Sequence, residues 1–460
     1  MTTKNIVKNF LRELTEMRAF LTIWSGQFVS LIGSGITSFA LDLWVYQQTG
    51  SVTQYALIAL FNVIPPILIS PIAGVFVDRW DRRSTIVGSD FIAAICTGFV
   101  AVLFFAGNLQ VWQVAVVTTL ISTVSVFQRL ALTTSTKLLV ADKNLENAVG
   151  LTQISESIGS LVVPALAGTL VLLVKMEGVL LIDFATYLVS LFTLLLVKIP
   201  THLPTTNTAE VEEQPQGWAA FAALRSELGF GWEYTLAHPD ILSLLIYFTV
   251  INFLIGLVSL LLVPMVLGFL SSSAAGSMLT IGGIGSLFGG LLLGFFGGAK
   301  YRITKIMFFG VCLGLSIILA GIQPSSILIT IAIFVGMLSF SLINGISEVL
   351  FISNVPVEVQ GRVFGLQGMI AASSLPIAYL MAGPLTDWIF EPLLAKNGAL
   401  ADTVGRVVGV GAGRGIALLF IVLGILQVAV TLYAYSYRPL RKLDSFIPPL
   451  SSENSELENE

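Results

Sequence analysis

QYALIALFNVIPPILISPIAGVFVDRWDRRSTIVGSDFIAAICTGFVAVLFFA, residues 54–106, holds two long apolar runs, about 54–77 and 84–106. A short charged stretch, GVFVDRWDRR at 74–83, marks the break between them. Crossing the hydrocarbon core of a bilayer takes about 20 apolar residues in a helix, so each run is long enough to span. The same alternation continues in both directions. Polar breaks divide the 460 residues into twelve such runs, about 19–46, 54–77, 84–106, 110–133, 148–173, 178–197, 240–269, 274–298, 303–322, 326–351, 363–390 and 413–437. Composition agrees: 55% of the residues are hydrophobic and 11% charged, with a mean hydropathy of +0.90. Soluble domains carry about 25% charged residues, so this chain lacks the charge to cover a water-facing surface. Disorder, collagen and coiled coil are excluded on the same ground. The fold class is therefore an all-α polytopic membrane protein with twelve transmembrane helices.

Basic residues orient the spans. With the amino terminus inside, 19 of the 23 Lys and Arg fall in inside segments and only Lys175, Lys396, Arg406 and Arg414 fall outside, the bias of the positive-inside rule. Both termini are then cytoplasmic and the protein is expected in the cytoplasmic (inner) membrane. The first 18 residues are polar and mixed in charge, and the apolar run after them is too long for a signal-peptide core. The sequence divides into a cytoplasmic segment 1–18, a six-helix bundle 19–198, a cytoplasmic linker 199–239, a second six-helix bundle 240–438 and an acidic tail 439–460 expected to be disordered. Within the linker, Trp218, Phe221, Leu224, Leu228 and Trp232 recur every three or four residues, the pattern of an amphipathic helix on the membrane face.

The halves echo each other. An offset of 223 carries Gly74 onto Gly297, Arg79 onto Arg302 and Arg82 onto Lys305, while Asp78 falls on Tyr301. Two six-span halves of the same sense are parallel repeats, a plan associated with rocking-bundle transporters.

The decapeptide at 74–83 resembles the loop 2–3 signature of the major facilitator superfamily, G-x-x-x-D-R-x-x-R-R. The segments LIDFATY in span 6, VPVEVQGRVFG at 355–365 and AGPLTD at 382–387 resemble the branch that contains macrolide efflux proteins and the enterobactin exporter. The resemblance implies a drug:proton antiporter built as two pseudo-symmetric bundles. In that fold spans 3, 6, 9 and 12 are peripheral and the other eight line the cavity. It also implies a cytoplasmic latch of Gly74, Asp78, Arg79, Arg82, Arg83 and Arg362, in which Asp78 meets the amino end of span 11, where the helix dipole favours a carboxylate. Span 5 departs from the antiporter pattern. It keeps Gly159, Pro164 and Gly168, but Val163 stands where a glycine is expected. Pro164 still permits a bend. In span 8, Gly285 and Gly289 are small residues four apart that allow helices to approach closely, and the resemblance sets span 5 beside them as the sliding interface.

Ionisable side chains within spans are costly and mark function by default. Glu156 lies about nine residues into span 5, near mid-membrane at 1.5 Å per residue, and is the leading proton carrier, with Asp90 and Asp42 as further coupling candidates. Asp90 and Asp183 fall on spans that the resemblance makes peripheral, where hydrogen bonding to neighbouring helices is the competing role. Arg129 and Glu348, near the inside ends of spans 4 and 10, form a candidate cytoplasmic gate. Gln27, Asn62, Asn252, Asn344 and Gln367 are candidates for contact with substrate, although polar residues also join helices to one another.

An enzyme is disfavoured, because two Cys and two His are too few for a metal or nucleophile constellation. No cofactor or metal is expected. The pattern G-x-x-x-x-G-K-[S/T] does not occur, so ATP hydrolysis is not the energy source. Nucleic acid lacks a basic field to bind. The expectation is a monomeric secondary transporter, exporting amphipathic molecules (a drug, macrolide, siderophore or secreted metabolite) against protons. A lysophospholipid flippase and a non-transporting scaffold are the alternatives. Its expected partners are substrate, protons and membrane lipids.

Overall fold

The structure, a computed structural model, describes residues 17–140, 144–197, 232–296, 301–355 and 357–442. Twelve long helices account for most of them: α1 Arg18–Thr49, α2 Val52–Arg79, α3 Arg82–Phe105, α4 Val111–Leu139, α5 Leu145–Leu173, α6 Lys175–Leu196, α7 Pro239–Leu267, α8 Ser272–Phe296, α9 Arg302–Ile322, α10 Ser326–Asn354, α11 Val357–Pro384 and α12 Arg414–Ser436. Each coincides with one of the twelve apolar runs. Over the described residues eleven are long and apolar enough to cross a membrane, and in α5 the apolar stretch is Val163–Leu173.

Local chemistry explains where the helices begin. The α1–α2 turn needs two residues. Gly50 takes φ 61 and its N–H closes on the Tyr46 carbonyl, a left-handed cap that glycine adopts without steric cost. Ser51 then caps α2 by accepting from Gln54 N. Asp81 does the same for α3, accepting from Ser84 N at 2.8 Å, and Gln110 with Gln113 forms a capping box on α4. Each supplies an acceptor to N–H groups that the helix cannot satisfy itself.

One departure from a single span 363–390 lies at the end of α11. After Pro384 the chain widens into a π-helix, Leu385–Phe390, followed by the short helix Glu391–Leu393. Beyond it, Gly405–Val408 forms another short helix, and Gly409, Gly411 and Gly413 have positive φ. The Arg414 guanidinium, 4% exposed, donates to the Val408 carbonyl at 3.2 Å.

The chain groups into two compact units. The first comprises Met1–Ala220, Leu260–Thr280 and Tyr379–Ile389; the second comprises Phe221–Ser259, Ile281–Ala378 and Phe390–Glu460. In the first, α1 packs on α5 and α6, α2 on α4, and α3 on α4 and α6. An apolar core of Ile36, Ala40, Ile58, Val100, Val114, Leu180 and neighbours fills the space between them. In the second, α9 packs between α10 and α12.

The glycines of α8 have a different neighbour from the expected one. A Cβ on Gly285 would lie 2.5 Å from the Phe334 carbonyl oxygen, and one on Gly289 2.6 Å from that of Leu338. Both belong to α10, so α10 rather than α5 lies against this face. α5 instead meets the first turns of α8: a Cβ on Gly168 would lie 2.5 Å from the Ser272 carbonyl oxygen, and one on Gly276 would strike that of Pro164. The spacing of small residues announces a close contact without naming its partner. Gly159 is more open than Gly168, with Leu31 at 3.5 Å as its nearest neighbour.

Of the amphipathic linker stretch, only Trp232 falls among the described residues; the acidic tail from 443 onward lies outside them.

Candidate functional site

Two carboxylates are enclosed in the helices of the first unit. Asp90 of α3 is 0% exposed. Its Oδ2 accepts from Gln27 Nε2 of α1 at 2.9 Å and from Ser190 Oγ of α6 at 2.7 Å. Its Oδ1 accepts a short hydrogen bond from Gln128 Nε2 of α4. Gln27 also donates to Ser190 Oγ at 2.8 Å, and its own Oε1 accepts from Gln128 at 2.8 Å. One carboxyl group thus joins four helices through three neutral donors. The second, Asp183 of α6, is 1% exposed. It accepts from Ser34 Oγ of α1 and Thr97 Oγ1 of α3, each at 3.2 Å, and Ser34 also lies 2.9 Å from the Tyr187 hydroxyl. A buried polar group costs folding energy unless paired, and both acids are paired by neighbouring helices.

Asp42, on α1, is half-buried. It lies within electrostatic reach of Tyr55 on α2 and Tyr379 on α11. Tyr55 meets Tyr46 edge-to-face at 6.1 Å. This cluster of one acid and three phenols sits near the α1–α2 turn. The same turn receives Asp387, from the π-helix. Asp387 Oδ2 accepts from Ser51 Oγ and Thr53 N, both at 2.8 Å, and Oδ1 accepts from Val52 N at 3.1 Å.

At the opposite end of α2, the helix extends through Gly74, Asp78 and Arg79, whose side chains lie outside the described residues, as do those of Glu156 and Arg362. Arg82 and Arg83 are half-buried. Arg83 Nη2 donates to the Leu194 and Leu195 carbonyls at 3.3 Å, tying the start of α3 to the end of α6. Asp81 is held below the usual carboxylate range by its hydrogen bonds from Ser84.

The remaining candidates are dispersed. Arg129 and Glu348 are exposed on α4 and α10. Asn252 donates to Phe248 O at 2.9 Å and exposed Asn344 to Phe340 O at 3.0 Å, each one turn back on its own helix. Asn62 is exposed and Gln367 half-buried. Gln27, read as a substrate contact, is instead engaged with Asp90. A groove of about 300 Å³ between α7 and α12, lined by Ser243, Ile246, Tyr247, Val430 and Tyr433, contains none of the expected cavity residues.

Sequence reasoning missed Gln128, Ser190, Ser34 and Thr97, the donors to the buried acids, and Asp387 with its receiving turn. A carboxyl inside an apolar run signals that donors must exist. Which of the many Ser, Thr and Gln supply them follows only from helix packing. Asp387 lies within AGPLTD, and nothing in that stretch names the turn that receives it.

A family model described as Major Facilitator Superfamily matches residues 23–379. Macrolide efflux protein A of Streptococcus pyogenes is 30% identical over 379 residues, covering 80% of this chain and 90% of its own. Multidrug efflux pump Tap of Mycolicibacterium fortuitum is 23% identical over 365 residues, 77% and 86% of the two chains. Among solved structures, a bacterial homologue of the human lysosomal transporter Spinster, inward-facing and unoccupied, superposes with a TM-score of 0.66 at 14% identity, covering 94% of this chain and 99% of that one. The nucleoside transporter NupG superposes with a TM-score of 0.63 at 16% identity, covering 91% and 100%.

Proposed function

We propose, from the premise that this chain belongs to the major facilitator superfamily and is a multi-pass membrane transporter, that it exports amphipathic small molecules in exchange for protons. The observation that carries export is the likeness to macrolide efflux protein A through 90% of that protein's length. The basic-residue bias supports a cytoplasmic membrane location with both termini inside. In this reading the bundles 19–198 and 240–438 alternate access to a shared cavity, and one chain completes the cycle.

Proton coupling is assigned to Glu156 and Asp42. A carrier must lose and regain its proton without dismantling the fold. Asp90 and Asp183 each anchor several helices, so their protonation would loosen the first unit; we assign them to structure. Asp42 is half-buried beside tyrosines and Glu156 is near mid-span, so either can exchange a proton with a water-filled cavity. A proton crossing with the membrane potential supplies about 2.3 kcal/mol per 100 mV, which helps drive an uncharged substrate outward, whereas one-for-one exchange with a monovalent cation is electroneutral and draws on the pH gradient alone. The cytoplasmic latch around Asp78 and Arg362, and the Arg129–Glu348 gate, are the devices expected to close the inside.

The test uses inverted membrane vesicles with an imposed pH gradient read by a quenched dye, challenged with macrolides, cationic dyes, siderophores and lysolipids. A compound that dissipates the gradient with the parent protein, but not with Glu156→Gln or Asp42→Asn, supports exchange at that carboxyl. Equal dissipation by all three proteins removes the assignment from both acids. Movement of lysolipid without any gradient response selects the flippase, and retention of every compound selects the scaffold.

A further inference from the structure

The amino end of α2 is capped by a residue more than 330 positions away. Its first three N–H groups have no partner within the helix. Val52 N donates to Asp387 Oδ1 at 3.1 Å, Thr53 N to Asp387 Oδ2 at 2.8 Å, and Gln54 N to Ser51 Oγ at 3.3 Å. The Ser51 hydroxyl in turn donates to Asp387 Oδ2 at 2.8 Å. One carboxylate and one hydroxyl therefore complete the turn, and the carboxylate also meets the positive end of the helix dipole. Around it the backbones are close: a Cβ on Gly383 of α11 would collide with Thr53. Tyr379, two turns before Asp387, stands near Tyr55 of α2 through their common neighbour Asp42.

The segment that carries Asp387 is built differently from the helix before it. Pro384 is followed by a π-helix, whose wider turn shifts the side chains after it around the axis; such insertions recur where a helix serves a function. Four residues on, Glu391 Oε1 accepts from Ile416 N of α12 at 3.4 Å. The division between the compact units falls between these two acids, at Ile389 and Phe390. Asp387 groups with α2, and Glu391 groups with α12.

We propose that Asp387 is a gating residue. It clasps the carboxyl end of α11 to the amino end of α2, and letting go of that turn is the step that opens this end of the carrier. With both termini inside, this is the outer end, so the clasp seals the exit that substrate leaves by. The clasp itself is independent of the export reading; only the meaning of its release rests on it.

Double electron–electron resonance on the full chain in lipid nanodiscs tests the clasp without any substrate. Cys96 and Cys312 are replaced by Ser, and spin labels are placed on Gln48→Cys of α1 and Met381→Cys of α11, both exposed positions. Asp387→Ala is expected to raise the ratio of the longer-distance to the shorter-distance population about tenfold. Asp387→Asn, which keeps one acceptor, and Ser51→Ala, which removes one donor, are expected to shift it two- to fivefold. Glu391→Ala, whose bond goes to α12, is expected to leave it unchanged. The proposal is overturned if the Asp387 variants keep the parent distribution, or if Glu391→Ala shifts it as much as Asp387→Ala. Should Asp387→Ala fail to fold, Asp387→Asn and Ser51→Ala decide on the same readout. A protein that moves none of the compounds offered but shows these shifts keeps the clasp and loses the export reading.

Discussion

Replacing Asp90 by alanine removes the acceptor that draws α1, α3, α4 and α6 together, and its cost is calculable from the bonds that remain. Three hydrogen bonds are lost, from Gln27, Gln128 and Ser190. A buried donor left wholly bare costs about 1–3 kcal/mol, which would sum to more than most single substitutions cost. Only the Ser190 hydroxyl loses its one acceptor, however, and the other two donors keep a partner. Gln27 still donates to Ser190, and Gln128 still donates to Gln27. The expected loss is therefore about 2–4 kcal/mol, weighing the surviving bonds against the lost ones. At about 2–4 °C per kcal/mol for a unit of 150–250 residues, thermal unfolding in detergent should fall by roughly 5–15 °C at a fixed scan rate, since unfolding of such a protein is kinetically controlled. Ser125→Ala, whose exposed hydroxyl bonds only to Ile121 O of its own helix, is the reference and should stay near the parent. Gln128→Leu alone and with Asp90→Ala closes a double-mutant cycle, with a coupling of about 1–3 kcal/mol expected. A melting temperature for Asp90→Ala within about 1 °C of the parent, or a cycle with no coupling, would refute the anchor. A variant that stays stable but stops exchanging protons would return Asp90 to the coupling machinery.

Three further outcomes follow from local contacts. Arg83→Ala removes two hydrogen bonds to the carboxyl end of α6 and should cost about 1 kcal/mol, read as faster amide exchange around Leu194 and Leu195. Gly289→Val drives a side chain into the Leu338 carbonyl and Ser341 and should cost about 1–3 kcal/mol, whereas Gly290→Ala, with only Ser341 Oγ at 4.0 Å, should be neutral by the same melting assay. Asp81 has a folded pKa below its ordinary value, so its cap on α3 is present above the unfolded pKa of about 4 and is lost as pH falls through the depressed folded value. Exchange protection of the Ser84 amide should decline in that acid window in the parent, and Asp81→Asn should remove the decline.

The sequence makes the helices legible because bilayer thickness demands long apolar runs, and polar residues such as Ser51, Asp81 and Ser325 mark where three of them start. The irregular end of α11 was not legible. Its run from 363 to 390 continues through Leu385–Phe390 with Asp387 as the one charge in that segment, and hydropathy does not distinguish a π-helix from an α-helix. The candidate site divides in the same manner. That Asp90 and Asp183 need donors can be read from their surroundings in sequence, whereas Gln128 becomes the donor only because α4 packs on α3. Gln27 looked like a cavity amide for the reason that also made it an anchor: it is a lone amide in an apolar helix. Asn252 and Asn344 each bond back to their own helix, a local solution that spacing alone does not separate from contact with substrate.

If the Asp387 clasp belongs to one concerted movement, a second contact must yield with it, and α5 offers that contact. Gly168 and Gly276 bring the backbones of α5 and the first turns of α8 together at Ser272 and Pro164. The obstructing atoms are carbonyl oxygens, which cannot swing aside as a side chain can. Gly276→Val must therefore displace the start of α8, and labels on exposed Thr169 and Ser271 should report a distance longer by a few ångström. That result alone would show only local crowding. The discriminating experiment keeps Gly276 and changes Asp387, which makes none of these contacts. In a concerted opening, Asp387→Ala lengthens the Thr169–Ser271 distance as well as the Gln48–Met381 distance, with the same ratio of populations, because both pairs read one equilibrium. If only the pair beside Asp387 responds, the two contacts open separately and the clasp is a local latch rather than part of the movement that turns the carrier.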